Sequence, residues 1–437
     1  MSSKIGFWPV FALVTGSQIG SGIFMLPASL APYGEFSFAG WIISSFGAIV
    51  LSLVFASLCA KLPQTGGPHV YINKAFGPTF AFFTGWTYWV ISWVSTTAVI
   101  ITSISYLSPF IGNQSPIIYL MLEIFLLAII TFLNLKGLKA AGLIEVFLTF
   151  LKFVPLIIMP VAAMCFFDKN NISVSNKVTS LSISQILGQV TLITLWGFIG
   201  LESATTPAGS VRNPSKTIPR AIVLGTLCVA LLYFVNSIGI VGLIKGTDLA
   251  NSKAPYVDAA QIIFGGNWHL LISAIASIVC IGTLNAWILT SGQIALGLSL
   301  DGLMPRFFAK KNSNEAPLWG IIVSCLGIVP LLILTVNESI SAQITTIIDF
   351  SVTAFLFVYL ICSIALLKLL IVQEKTNYLQ CIIALIAIIF CGWVIYETPL
   401  KTLIVASLFT LSGLPMYLFW YCYCKKDKDI PGSYAVN

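Results

Sequence analysis

Hydrophobic residues in this chain fall in long runs separated by short polar segments. Twelve apolar stretches cover roughly 7–31, 37–60, 80–108, 116–134, 142–167, 184–208, 220–244, 267–300, 318–336, 341–370, 378–395 and 400–424. About 20 apolar residues suffice to cross a bilayer as a helix. The pattern therefore predicts an all-α integral membrane protein with twelve transmembrane helices. Alternating segments of about ten residues, the mark of a membrane β-barrel, are not the pattern here. Stretches 267–300 and 341–370 are longer than a straight crossing needs, so they tilt, kink or project.

The first run carries a flaw at its centre. Gly20, Ser21 and Gly22 sit in mid-membrane, and glycine costs a helix about 1 kcal/mol relative to alanine. A break there frees backbone N–H and C=O groups that lipid cannot satisfy, so they must meet protein, water or a ligand. Paired breaks of this kind build midplane binding sites in transporters. Small residues also let a neighbouring helix pack closely, and the first run alone does not separate the two readings. The sixth run repeats the flaw, since Thr194–Ala204 contains Gly197, Gly200 and a carboxylate, Glu202. The repeat favours a binding site. It also predicts two inverted halves of five spans each, 1–167 and 184–370, with two added helices over 378–424 and a cytoplasmic tail over 425–437.

Composition agrees with the pattern. The 437 residues are 58% hydrophobic and 8% charged, with a mean hydropathy of +0.97, whereas soluble domains carry about 25% charge. The net charge of +7 is not a nucleic-acid signal, because lysine and arginine mark the cytoplasmic side of a membrane protein. With the N-terminus inside, only Lys169, Lys177, Lys245, Lys253 and Lys401 fall on the outer side, against sixteen inner lysines and arginines that include Arg212, Arg220 and Arg306. Both termini are therefore expected in the cytoplasm, in a multi-pass protein of a cell inner membrane. No cleavable signal peptide is expected, since the run from Phe7 is too long for one. Ten scattered cysteines read as reduced space-filling residues, and Cys422 and Cys424 at the last helix end are poorly spaced for a metal. No metal site and no cofactor are expected.

Ionisable side chains inside a bilayer are costly and need a reason. Glu202, just past the second break, suits a proton carrier or gate; a carboxylate there also suits a helix cap. Lys152 lies mid-span, with Glu145 two turns earlier on nearly the same face. It either finds a pocket of carbonyls or snorkels to an interface. Asp349 faces a pathway or caps a kink, and Glu123 reaches headgroups or pairs locally. Trp196, Trp287, Tyr88 and Trp93 are candidates to line a cavity, where an aromatic face attracts cations. His69 and His269 map to loops or span ends and read as surface residues. With no His, Asp or Cys cluster, a membrane-embedded enzyme is disfavoured. The paired breaks disfavour a channel, which needs a continuous polar stripe or charge rings.

Four segments go further. Gly20-Ser-Gly-Ile-Phe24, Trp196-Gly-Phe-Ile-Gly-Leu-Glu202, Val211-Arg-Asn-Pro-Ser-Lys-Thr-Ile-Pro-Arg220 and Asp301-Gly-Leu-Met-Pro-Arg-Phe-Phe-Ala309 together resemble the amino acid–polyamine–organocation superfamily, from Phe7 to about Lys425. The closest likeness is to bacterial antiporters of basic amino acids and polyamines, such as arginine/agmatine and putrescine/ornithine exchangers. The resemblance implies a five-plus-five inverted fold with unwound first and sixth helices, a permease working by alternating access, and no enzymatic activity. It implies that Gly20, Ser21 and Gly22 hold a substrate carboxylate and that the carbonyls of Trp196, Gly197 and Ile199 hold the α-amino group. Trp196 matches a gating aromatic, Trp287 a pocket aromatic, and Ser92, Thr96, Val99 and Ser351 further pocket positions. Tyr88 matches another pocket position near the gate, Tyr359 a gating tyrosine and Glu202 a proton-linked glutamate. Thr96 and Val99 stand where the arginine/agmatine exchanger has Asn and Met, which weakens a reading of arginine specifically. Lys152 resembles instead the lysine of proton-coupled symporters, whose ammonium replaces a sodium ion. Exchange and proton symport both stay open. The implied partners are an amino acid or polyamine, protons and the bilayer, with a homodimer left open and no nucleic acid.

Overall fold

The computed structural model describes residues 4–112, 114–136, 138–252, 254–336, 340–372 and 377–419. Cys422, Cys424 and the expected tail 425–437 lie outside the described residues, as does the side chain of Glu145. In chain order the helices are α1 (Phe7–Gln18), α2 (Ser21–Leu30), α3 (Phe36–Lys61), α4 (Pro68–Phe76), α5 (Pro78–Val94), α6 (Thr96–Ser105), α7 (Ser108–Ile111), α8 (Pro116–Leu135), α9 (Leu138–Met164) and α10 (Asn176–Thr179). The second half of the chain gives α11 (Ile183–Leu195), α12 (Pro214–Leu243), α13 (Gly246–Ala250), α14 (Pro255–Phe264), α15 (Trp268–Leu300), α16 (Leu318–Thr335), α17 (Ile340–Ile371), α18 (Tyr378–Glu397), α19 (Leu400–Leu411) and α20 (Leu414–Phe419). Among the described residues there is no β-sheet, only isolated bridges such as Tyr33 with Val174.

Local chemistry explains most helix starts. Proline opens α4, α5, α8, α12 and α14, where its missing N–H costs nothing and its fixed φ suits the first turn. Ser182 and Gln185 form a reciprocal capping box at the start of α11. Ten segments are long and apolar enough to cross a membrane, and two shorter apolar helices, Ile183–Phe198 and Leu318–Leu334, accompany them. The chain is thus a multi-pass membrane protein. At 33 residues, α15 is about 50 Å long, so it projects beyond a hydrocarbon core of about 30 Å.

Two details differ from the expected pattern. The stretch between 244 and 267 is not a plain loop but holds α13 and α14. Tyr256 of α14 is fully buried and packs edge-on against Phe24 of α2 at 4.8 Å, closing one end of the bundle over the first broken helix. Span six is helical only as far as Leu195; beyond it come single 3₁₀ turns at Trp196–Phe198, Ser203–Thr205 and Ala208–Ser210. The core sits where α1 and the residues after α11 meet α3, α12 and α15.

Candidate functional site

Both glycine breaks are real interruptions of the backbone. Ile19 turns extended after α1, and Gly20 adopts φ −151°, ψ −138° before α2 begins. A Cβ on Gly20 would lie 2.6–2.9 Å from the side chain of Thr283, so only glycine lets α1 and α15 approach this closely. In span six, Ile199 is extended and Gly200 has φ +105°, a left-handed region that other residues rarely enter. A Cβ on Gly22 would come within 3.0 Å of Trp196, so the two breaks touch. Ser17 ties them: its hydroxyl lies 3.0 Å from the Gly200 carbonyl and 2.8 Å from Ser203 Oγ.

Around this contact is a narrow cavity, about 290 Å³ of space including its open mouth, lined by Ser17, Gln18, Gly20, Ser21, Gly22, Ser95, Val99, Trp196, Ile199, Thr283 and Trp287. No charged side chain is in that lining. The first-turn amides of α2 have no carbonyl one turn back to bond and carry the positive end of the helix dipole. The Ser21 hydroxyl and Gln18 Oε1 are buried with no partner. Two indoles complete the wall, and Trp287 is fixed by donating to the Ser17 carbonyl at 3.1 Å. The arrangement offers donors to an anion, acceptors to an amine and aromatic faces to a cation.

Lys152 does not snorkel. It is fully buried, and its ammonium donates to the Gly16 carbonyl at 2.7 Å and to Thr283 Oγ1 at 3.1 Å. The Thr283 hydroxyl lies 2.5 Å from the Ile19 carbonyl. The last turn of α1, left without helical partners by the break, is therefore satisfied by a lysine from α9 and a threonine from α15. Glu202 is also fully buried, but its side chain caps no helix. Oε1 accepts from the Tyr88 hydroxyl at 2.9 Å and Oε2 from the Tyr359 hydroxyl at 2.6 Å. Aromatic contacts lead back to the cavity, because Phe355 lies 5.9 Å from Tyr88, 6.1 Å from Tyr359 and 5.6 Å from Trp287.

Not every expected site residue reaches the cavity. Ser92 bonds the Trp89 carbonyl and Ser291, and Thr96 bonds the Trp93 carbonyl at 2.6 Å; both hydroxyls are spent locally. Gly197 lies one layer behind the cavity wall, against Tyr233 and Trp41. Ser351 is buried and its hydroxyl unpartnered, but it is not in the lining. Trp93 packs on Gly327 of α16 rather than in the cavity. Four lining residues went unnoticed in the sequence, Ser17, Gln18, Ser95 and Thr283. Ser17 and Gln18 adjoin the break, which was the available signal.

Two expectations outside the cavity need correction. His69 is not a surface residue: α4 folds back after the left-handed Gly66 and Gly67 and buries it completely, with Nε2 3.0 Å from Asp301 Oδ2. Glu123 is buried on the packed face of α8 with Leu126, Leu127 and Ile130, so its carboxyl lies inside the protein and not on its outer surface.

Comparisons with known proteins fit this geometry. The family described as amino acid permease matches residues 5–422. The chain is 29% identical over 425 residues to the putrescine transporter PotE of Haemophilus influenzae, covering 96% of this chain and 97% of that protein. It is 31% identical over 335 residues to a cadaverine/lysine antiporter of Escherichia coli, covering 76% and 75%. Against the PotE of Escherichia coli the identity is 26% over 423 residues, covering 95% and 96%.

Proposed function

The chain belongs to the amino acid permease family, and from that premise we propose that it is a secondary-active carrier exchanging a basic amino acid for a polyamine across the inner membrane. The observation that carries this reading is the uncharged cavity between the two breaks. A substrate carboxylate there meets the α2 amides at Ser21 and Gly22, while the α-amino group meets the open carbonyl of span six at Ile199, with Gly197 behind it. A cationic side chain finds no carboxylate in the lining; it is left to the faces of Trp196 and Trp287, worth about 2 kcal/mol when desolvated. Val99 sets part of the wall around these contacts, with Ser92, Thr96 and Ser351 outside the lining.

In this reading the two shorter apolar helices complete twelve spans, arranged as two inverted halves of five plus two, with both termini cytoplasmic. Alternating access rocks the broken helices about the cavity. Glu202 is the proton-linked group. As a carboxylate it accepts from both Tyr88 and Tyr359; once protonated, one of its oxygens becomes a donor and one of those bonds must re-form. Proton binding thus acts directly on the clamp between span six, α5 and α17.

Proton symport is the second reading, and Lys152 favours it. Its ammonium occupies the carbonyl pocket at the end of α1, and loss of its proton would take the positive charge and one of three donors from that pocket. Transport assays in proteoliposomes, with unlabelled amino acids and diamines competing against a labelled basic amino acid, test both. Saturable uptake stimulated by internal substrate supports the exchanger. Accumulation driven by a proton gradient without internal substrate supports symport. Flux that neither saturates nor shows trans-stimulation would sink the carrier reading.

A further inference from the structure

A second cavity lies at the end of the bundle where α2 finishes. About 1160 Å³ of space, including its open mouth, is bounded by Ser29 in the last turn of α2, Tyr33 just after it, Gln189 of α11, Ser175, Asp349 of α17 and Thr402 of α19. Ser29 and Gln189 each stand seven residues along their helices from Gly22 and Trp196, which is about 10 Å. The wall is built rather than incidental. Tyr33 donates to Gln189 Oε1 at 3.0 Å, the Ser175 amide donates to the Pro32 carbonyl at 2.8 Å, and Val174 bridges to Tyr33.

Asp349 is the charge in this lining. It sits on a membrane-spanning helix, where a carboxylate without a role is costly. Among the described residues no lysine, arginine or histidine forms an ion pair with it, although Lys401 is exposed nearby. Its field is felt by the wall: burial first, and then the Asp349 charge, push the Tyr33 hydroxyl above the usual tyrosine range. A cleft whose one charge among the described lining residues is negative raises the local concentration of the opposite ion, and Tyr33 adds a π face beside it. The central cavity has no carboxylate, so the two cavities divide the work of meeting a cation.

We propose that this cavity is a second binding site, taking the ammonium of a protonated amine with Asp349 as its counter-ion and Tyr33 and Gln189 beside it. Its occupant waits about two helical turns from the central cavity. The proposal rests on the reading of the chain as an amine and amino-acid carrier.

Equilibrium binding of radiolabelled cadaverine to the purified full-length protein in low-sodium buffer tests it. Two molecules bind per chain in the expected result. Asp349→Asn weakens one class at least tenfold and spares the other, Asp349→Glu keeps both, and Trp196→Leu removes only the class that Asp349→Asn spares. A single class indifferent to Asp349→Asn overturns the second site and leaves the central reading standing. No cadaverine binding at all overturns both. If Asp349→Asn loses both classes, Asp349→Glu decides, and loss of both there as well overturns the site. If sodium displaces the outer class more strongly than potassium at equal ionic strength, the site belongs to an alkali metal and the amine assignment falls.

Discussion

The Tyr359 hydroxyl donates to Glu202 Oε2 at 2.6 Å, joining the middle of α17 to the unwound half of span six. Tyr88 holds the other oxygen from α5. Three segments far apart in sequence thus share one buried carboxyl group. Glu202→Gln keeps the shape but cannot ionise, so uptake by this variant is expected to lose its pH dependence. A pH profile of uptake that matches the unmodified protein would refute the proton role. Tyr359→Phe removes one bond to the same group and should slow turnover by about tenfold, equivalent to about 1.4 kcal/mol, at every pH.

Lys152 is expected to separate the two transport modes. Lys152→Ala leaves the Gly16 carbonyl without its ammonium donor, and proton-driven accumulation should vanish while substrate exchange continues. The measurement is paired, with accumulation under an imposed pH gradient and counterflow without one. Surviving accumulation with lost exchange would reverse the role assigned to Lys152.

Gly20 is a steric test. In Gly20→Ala the new methyl meets Thr283 Cγ2, Oγ1 and Cβ at 2.6, 2.7 and 2.9 Å, so α1 and α15 must separate. Transport should fall by two orders of magnitude or more, about 2.7 kcal/mol. Thr283→Ala removes two of the three contacts and should restore part of the loss in the double variant. Equal activity of single and double variants would show that close packing is not what requires glycine.

The buried His69 predicts a stability effect separate from transport. His69→Ala leaves a void and takes from Asp301 the partner at 3.0 Å, a loss of roughly 1–3 kcal/mol. The apparent melting temperature of the detergent-solubilised protein should drop by several degrees while affinity for substrate is retained. An affinity that falls in step with the melting temperature would tie this contact to the site instead.

Much of the fold and part of the site were legible in the sequence, for definable reasons. Glycines at 20, 22, 197 and 200 stand out because an apolar helix has no use for them, and their pairing pointed to the cavity. Lys152 and Glu202 stood out because charge inside a membrane is costly. What could not be read was direction. Serine and threonine are frequent in these spans, and sequence does not say that Ser92 and Thr96 spend their hydroxyls on neighbouring carbonyls while Ser17 and Thr283 face the break. Gly66-Gly67-Pro68 looked like a polar loop. Its positive φ angles fold α4 back into the protein, which is why His69 read as exposed. The break at Gly197 and Gly200 was legible, but not that no regular helix resumes beyond it, since Ser203–Ser210 is compatible with either conformation.

The bond from Ser17 to the Gly200 carbonyl spans 183 positions of the chain, and this sets a condition on biogenesis. At about 5–20 residues per second, synthesis takes on the order of ten to forty seconds to deliver Gly200 after Ser17. Throughout that interval the first broken helix has no second break to pack against. Its open backbone groups must be sheltered by the insertion machinery or by water before the bundle closes around them. A ribosome stalled between spans one and six therefore holds a membrane intermediate whose weakest point is the future binding site.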